Sequence, residues 1–423
     1  MASNGRVFLH IGEPKTGTTF LQQVMWGNRA ELAAQGLVLP GHHAQDHFRA
    51  SQDLRGIEKL PSDPAGSWTG EWDILATQAR QAPHLAVISH ELFSAADADQ
   101  AARAVRSLQP AEVHVVLTVR DMASLLPAEW QETIKHRNAR GWTDWLSDVI
   151  DHEAAAPDRR QFWFWRVHDT LALLAPWAQH VPPERVHVIT MPPPNASTGV
   201  LWDRFAGLLG IDPSSVDLTL ARPNASLGMP EIEFLRRLNE KLPDEVPDWF
   251  YMWTVKEGVA HRALADRPRH GRLVLPAGRE AWAKEQAEAL IAGLAGSGYQ
   301  VIGDPDELRP RPAGAPGSDT GQQPPDQVLD AAVDAAAALV VNQYRKEHGR
   351  PKAPGGPSRR GRGGLAGRVE SAVGASPRLK RTVRELSSRY PAVRKLRIMA
   401  WQGLERTRTR GSRAQRNQTQ GRS

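Results

Sequence analysis

The apolar run Arg6-Val7-Phe8-Leu9-His10-Ile11 stops at a Gly12-Glu13-Pro14-Lys15 break, and Phe20, Leu21, Val24 and Met25 then recur at helical spacing. A short apolar run bounded by Gly and Pro reads as a buried strand. The recurrence after it reads as a helix that Thr18 or Thr19 can cap. A buried strand passing through a tight turn into a helix is the opening unit of a layered α/β domain.

The same alternation continues. His84 to His90 and Val113 to Val119 read as a second and a third strand, and the Ala-rich stretch Asp97 to Leu108 between them has the length of a parallel crossover helix. Beyond Arg120 the pattern is helical through Trp130 and Lys135, then over Trp142 to Ile150 and Val167 to His180. Arg185 to Met191 supplies a fourth strand, ended by Pro192-Pro193-Pro194. Further helical spacing covers Leu201–Leu209, Pro230–Lys241 and Ala277–Leu294. Pro40 to Gly70 is polar, His-rich and weakly periodic, and reads as an extended loop region. The fold class expected is therefore α/β, with a central, mainly parallel sheet flanked by helices.

Charge divides the chain unevenly. From Gly349 onward there are 20 Lys and Arg against 3 acidic residues, a net of +17; with +6 for the whole chain, the remainder carries −11. The expected organisation is a domain over 5–302, a Pro/Gly-rich linker over 303–327, a helix over 328–348 and a basic, largely disordered tail over 349–423. The tail's composition fits either plain disorder or weak, salt-sensitive binding to an anionic polymer or acidic membrane surface. The absence of cysteine excludes disulfides and thiolate metal sites and suits a reducing compartment. With no transmembrane segment and no export signal in the sequence, a cytoplasmic location is expected.

Chemistry concentrates in Gly12-Glu13-Pro14-Lys15-Thr16-Gly17-Thr18-Thr19, between strand and helix. A helix N-terminus presents unpaired N–H groups and positive potential to an anion. Gly17 permits close backbone approach, Thr16, Thr18 and Thr19 carry hydroxyls, and Lys15 adds a full charge. The string is not a nucleotide-triphosphate loop of the G-x-x-x-x-G-K-[ST] form, because Thr18 occupies the lysine position. Pro14-Lys15-Thr16-Gly17-Thr18-Thr19 resembles instead the 5′-phosphosulfate loop of the sulfotransferases that use 3′-phosphoadenosine 5′-phosphosulfate (PAPS).

The resemblance implies a P-loop-like fold, PAPS as sulfuryl donor, no metal, and a hydroxyl or amine acceptor on a small molecule or glycan, a glycolipid included. It also implies a 3′-phosphate contact from an Arg at the end of a later strand, here Arg120, followed about eight residues on by a Ser. Ala128 stands at that place, and Ser124 is the nearest substitute. Guanidinium geometry suits bidentate phosphate binding, whereas an Arg120–Asp121 or other surface ion pair is the competing reading.

Members of the family place a catalytic base just past the second strand, where this chain has Ser89-His90-Glu91. Matched by register, Glu91 is the expected base, and His90 the alternative whose ordinary pKa lies nearer neutrality. Against both stands a structural role, with Glu91 capping a helix and His90 packed beneath the sheet. Lys15 is expected to stabilise the departing phosphate.

Other features carry less. Phe162, Trp163, Phe164, Trp165 and His168 suit a core or an acceptor pocket. Arg262, Arg267, Arg269, His270 and Arg272 suit a solvated face or a loop closing over the nucleotide. His42, His43 and His47 lack the acidic support of a metal motif. A P-loop kinase or other phosphotransferase, and a non-catalytic binder of anionic polymers acting through the tail, are the competing functions.

Overall fold

The structure, a computed structural model, describes residues 5–57, 68–155, 162–193, 195–197, 199–221, 227–271, 273–276, 278–311 and 322–348. The basic tail 349–423 and Arg272 lie outside the described residues.

Among the described residues six strands form one sheet: β1 (Arg6–His10), β2 (Leu37–Val38), β3 (Leu85–Ser89), β4 (Glu112–Val119), β5 (Val186–Thr190) and β6 (Gln300–Ile302). They run in the order β2-β3-β1-β4-β5-β6, every pairing parallel. Side chains alternate across the sheet with period two. Val7, Leu9 and Ile11 of the first segment enter one core with Trp72, Leu108 and Trp177 from helices on that face. Phe8 enters the other, with Leu21, Val24, Trp202 and Phe205. Both faces of the sheet are thus covered, which is why its strands are apolar almost throughout.

A third cluster gathers around the Met122–Lys135 helix, which leaves the C-terminal end of β4. It takes Trp130, Trp142, Phe164 and Trp165 together with Ile232 and Leu235 of the Met229–Lys241 helix. Ala335 of the Pro325–His348 helix joins it, so a helix beyond the expected domain limit at Ile302 belongs to the same compact unit. No helix among the described residues is long and apolar enough to cross a membrane.

Three local expectations need correction. The segment read as a loop contains a helix, Ala44–Leu54. Its buried face is built partly of Asp46, His47 and Ser51, whose polarity hides the period. The helix expected over Val167–His180 is two, Trp163–His168 and Thr170–Ala178, divided at Asp169, whose carboxylate caps the second. Finally, β2 and β6 are only two and three residues long, too short for periodicity to mark.

Chain direction across the sheet reverses around β1: the chain goes from it to β2 and β3 on one side and then to β4 on the other. A crevice outside the carboxyl ends of the strands is the expected ligand position at such a switch point.

Candidate functional site

Beyond β1 the ladder continues into the loop. Ile11 N–H donates to Val116 O at 2.8 Å, Glu13 N–H to Thr118 O at 3.2 Å, and His90 N–H to His10 O at 3.0 Å. The loop is therefore tied to the ends of both neighbouring strands. It turns through positive φ at Gly12 (77°), Lys15 (61°) and Gly17 (86°). A β-carbon on Gly17 would run into Leu201 and Met191, so only glycine fits there.

A left-handed lysine is unusual and costs about 1–2 kcal/mol. Each fully buried aliphatic side chain of the surrounding core returns about 1.5–3 kcal/mol, so the fold sustains that strain. Two contacts hold it locally. Thr16, fully buried, donates to Glu13 O and meets Thr118 Oγ1, both at 2.6 Å. Arg120 Nη1 reaches the Lys15 carbonyl at 3.4 Å.

Gly17 caps the Thr18–Gly27 helix with backbone only, without a side-chain cap hydrogen bond. Lys15, Gly17, Thr18, Thr19 and Arg120 are thus brought to one place. Thr16 is close by, but its hydroxyl is engaged within the loop. Ser124 lies in the first turn of the helix after Arg120, its N–H held by the Asp121 carboxylate at 2.8 Å.

The second expected element also arrives here. A β-carbon on Gly12 would stand 2.6 Å from Cα and Cβ of Glu91, so the turn after β3 packs directly on the loop. His90, not Glu91, caps that turn: its Nδ1 accepts the Leu92 N–H at 3.2 Å. Burial lowers the His90 pKa and favours the neutral ring that accepts this bond. Burial works against ionised Glu91, but a backbone N–H and the Gln22 amide, 3.3 Å from Oε2, favour its charge, and its pKa is lowered. Glu91 is thereby kept as a carboxylate, free of capping duty. Beneath it, Ser89 Oγ meets His10 Nδ1 at 2.8 Å and Ser89 N–H donates to His47 Nδ1 at 3.1 Å. Burial lowers both imidazoles to about 4, so they are neutral supports.

No family model, curated protein or solved structure matches the chain. Its chemistry therefore rests on the side chains themselves.

Two charged groups complete the site, and neither is apparent from motif reading. On the Met122–Lys135 helix, Glu132 Oε2 lies 2.5 Å from Lys15 Nζ and 2.6 Å from Lys135 Nζ. Its Oε1 lies 2.9 Å from Lys256 Nζ and 3.3 Å from His136 Nε2. Burial opposes its ionisation, yet His136, Lys15, Lys135 and Lys256 together hold the carboxyl far below its usual range.

Behind the loop, fully buried His168 stands between Glu13 and Glu129 at 3.4 Å on either side, and Thr170 donates to Glu13 at 2.5 Å. Burial would depress the imidazolium, but the two carboxylates outweigh it and raise its pKa to about 9. The i, i+3 spacing of Glu129, Glu132 and Lys135 was the available signal, since it puts three charges on one helix face.

The remaining candidates have other roles. Phe164 and Trp165 are core, and Trp163 is exposed. Arg267 pairs with Glu231 and Asp334, whereas Arg262, Arg269 and His270 are exposed. His43 pairs with Asp46, His47 supports Ser89, and no metal-holding cluster occurs among the described residues. An open cleft of about 710 Å³ lies along Trp130, Arg140, Glu233, Arg236 and Arg237. Its charges are paired through Arg140–Asp148 and through Glu233 with Arg236 and Arg237.

Proposed function

We propose that the chain transfers a sulfuryl group from PAPS to an acceptor hydroxyl or amine, with Lys15, Gly17, Thr18, Thr19 and Arg120 holding the nucleotide and Glu91 as base. The observation that carries this reading is the convergence of three elements at the carboxyl ends of the central strands: the strained loop with its lysine, the arginine touching the loop at 3.4 Å, and the turn carrying Glu91 packed on Gly12. The donor residues fit an anionic end group, because the helix behind the loop has a glycine cap and two cations flank it.

In this reading Glu91 accepts the proton of the acceptor hydroxyl as the new sulfur–oxygen bond forms, while the bond from sulfur to the 5′-phosphate oxygen breaks. Lys15 and the first N–H groups of the helix meet the charge that gathers on that phosphate. Its lowered pKa keeps Glu91 ionised and able to accept a proton, but makes it a weaker base than a carboxylate tuned towards neutrality.

Calorimetry with the product nucleotide, 3′-phosphoadenosine 5′-phosphate, tests the assignment. The expected result is binding that falls by roughly tenfold or more in Lys15→Ala and in Arg120→Ala, each losing a charge-assisted contact. No binding, or binding indifferent to both substitutions, overturns it. Turnover that requires Mg²⁺ and ATP in place of PAPS identifies a phosphotransferase. Retained turnover on deleting 349–423 is expected of the enzyme; no turnover in the full chain, with anionic-polymer binding that is lost on this deletion, points to the tail-based binder.

A further inference from the structure

Three ammonium groups, those of Lys15, Lys135 and Lys256, converge within 2.9 Å of the single carboxylate of Glu132. One carboxylate neutralises one of them. The buried Glu13–His168–Glu129 group behind Lys15 adds a net single negative charge, since His168 is protonated between the two glutamates. Among these groups one positive charge remains, on lysines whose side chains are only 11% and 12% exposed at Lys135 and Lys256; the next carboxylate, Glu257, is 42% exposed and turned to His261 at 3.4 Å. Burial pushes the Lys135 pKa down and Glu132 pulls it back up, so that ammonium is poorly solvated. Such an arrangement is costly until an anion joins it.

Position separates Lys256 from the nucleotide loop, while Lys135 shares Oε2 of Glu132 with Lys15 and lies between the two. Lys15 meets Oε2 of Glu132, whereas Lys256 meets the other oxygen, Oε1, on the side of half-exposed His136. Lys256 Nζ also lies 2.5 Å from His136 Nε2. A group reaching Lys256 therefore enters beside His136, with the Glu132 carboxylate between it and Lys15. The backbone under Lys256 is unusual too. Met252 to Ala260 is a π-helix, closed at its end by His261 N–H donating to Lys256 O at 3.0 Å. π-Helical turns are rare and occur frequently at functional sites.

We propose that Lys135 and Lys256, bracketing Glu132, form a second anion subsite that receives a phosphate, sulfate or carboxylate carried by the acceptor, so that the acceptor is an anionic saccharide or similar polyol. This assignment rests on the sulfotransferase reading, which gives Lys15 to the donor nucleotide and makes the carrier of the anion the acceptor. It places the acceptor's fixed charge within reach of the loop and leaves a neutral hydroxyl of the same molecule to Glu91.

The test is calorimetric titration of the full chain saturated with 3′-phosphoadenosine 5′-phosphate, using glucose 6-phosphate as the probe and glucose as its neutral counterpart. The phosphorylated sugar is expected to bind at least about tenfold more tightly than glucose, and Lys135→Gln with Lys256→Gln to remove that advantage. Nucleotide affinity in this double variant should stay within about threefold, which also shows that it folds. The matching Lys→Arg double variant should retain a preference for the charged sugar.

Equal binding of the two sugars, no binding of either, or unchanged glucose 6-phosphate affinity in the Gln variant overturns the subsite. So does a parallel loss of nucleotide affinity, which would assign both lysines to the donor. Failure of the wild-type protein to bind the nucleotide counts instead against the sulfotransferase reading. The same sugar titrations without nucleotide then decide the subsite alone.

Discussion

Gly12 and Glu91 are packed so closely that a β-carbon on the glycine would stand 2.6 Å from both Cα and Cβ of the glutamate. Gly12 also has φ of 77°, where a β-carbon costs about 1–2 kcal/mol in backbone strain alone. Gly12→Ala is therefore expected to destabilise the protein by more than that amount and to displace the turn carrying Glu91. Urea denaturation and nucleotide calorimetry on the variant check this. A stability within about 0.5 kcal/mol of wild type, the range of an ordinary surface substitution, would show that loop and turn are not in contact.

The two candidates after β3 are separable by their hydrogen bonds. His90 accepts the Leu92 N–H, so His90→Ala removes a cap and should cost about 1 kcal/mol of stability with turnover largely kept. Glu91 caps nothing, and Glu91→Gln should lower turnover by about 100-fold or more while nucleotide affinity is preserved. Labelled-sulfate transfer from PAPS to extracts of the native cell measures both. If only His90→Ala abolishes transfer, the base is the histidine.

How much of this could be read in the chain follows from where each signal resides. The frame around Gly12–Thr19 was legible because strand, glycine and helix signals are contiguous in sequence. Four of the six strands were legible for the same reason, being apolar runs of five or more residues. Glu13, Glu132 and His168 were not, because the partners that place them at the loop are remote in sequence: Lys15 and Glu132 are 117 residues apart, Glu13 and His168 155. A polar residue in a helical pattern looks solvated until its partners are known. The helix Ala44–Leu54 was hidden by the converse effect, since polar residues form its buried face.

Glu132 sets up a prediction opposite to simple charge loss. Removing one partner of a buried ion pair costs about 3–5 kcal/mol, and at 18% exposure Glu132→Gln should fall near the bottom of that range. Three ammonium groups then lose their shared counter-ion, so an added anion should restore more stability to the variant than to wild type. Thermal unfolding against sulfate concentration gives the comparison. Equal responses to sulfate would mean that the lysines disperse into solvent once released.

His168 makes stability depend on pH in a definite direction. Its pKa is about 9 in the fold against an ordinary 6.5, because Glu129 and Glu13 outweigh the effect of burial. A group raised on folding contributes fully below its unfolded pKa, here about 6.5, and loses that contribution as pH rises through 9. The size is on the order of 3 kcal/mol by proton linkage. Glu129 acts in the other direction: burial opposes its charge, His168 and Lys15 outweigh burial, and its lowered pKa adds stability that is lost as pH falls below the carboxylate range. Urea denaturation of wild type and His168→Gln at pH 6, 8 and 10 isolates the histidine, because every other titrating group outside the triad is common to both. Wild type should lose stability more steeply between pH 8 and pH 10, and nucleotide affinity should decline with it, since Glu13 fixes the loop from within. Parallel profiles would mean that the imidazole is neutral between its two carboxylates, and that one of those carboxylates carries the missing proton.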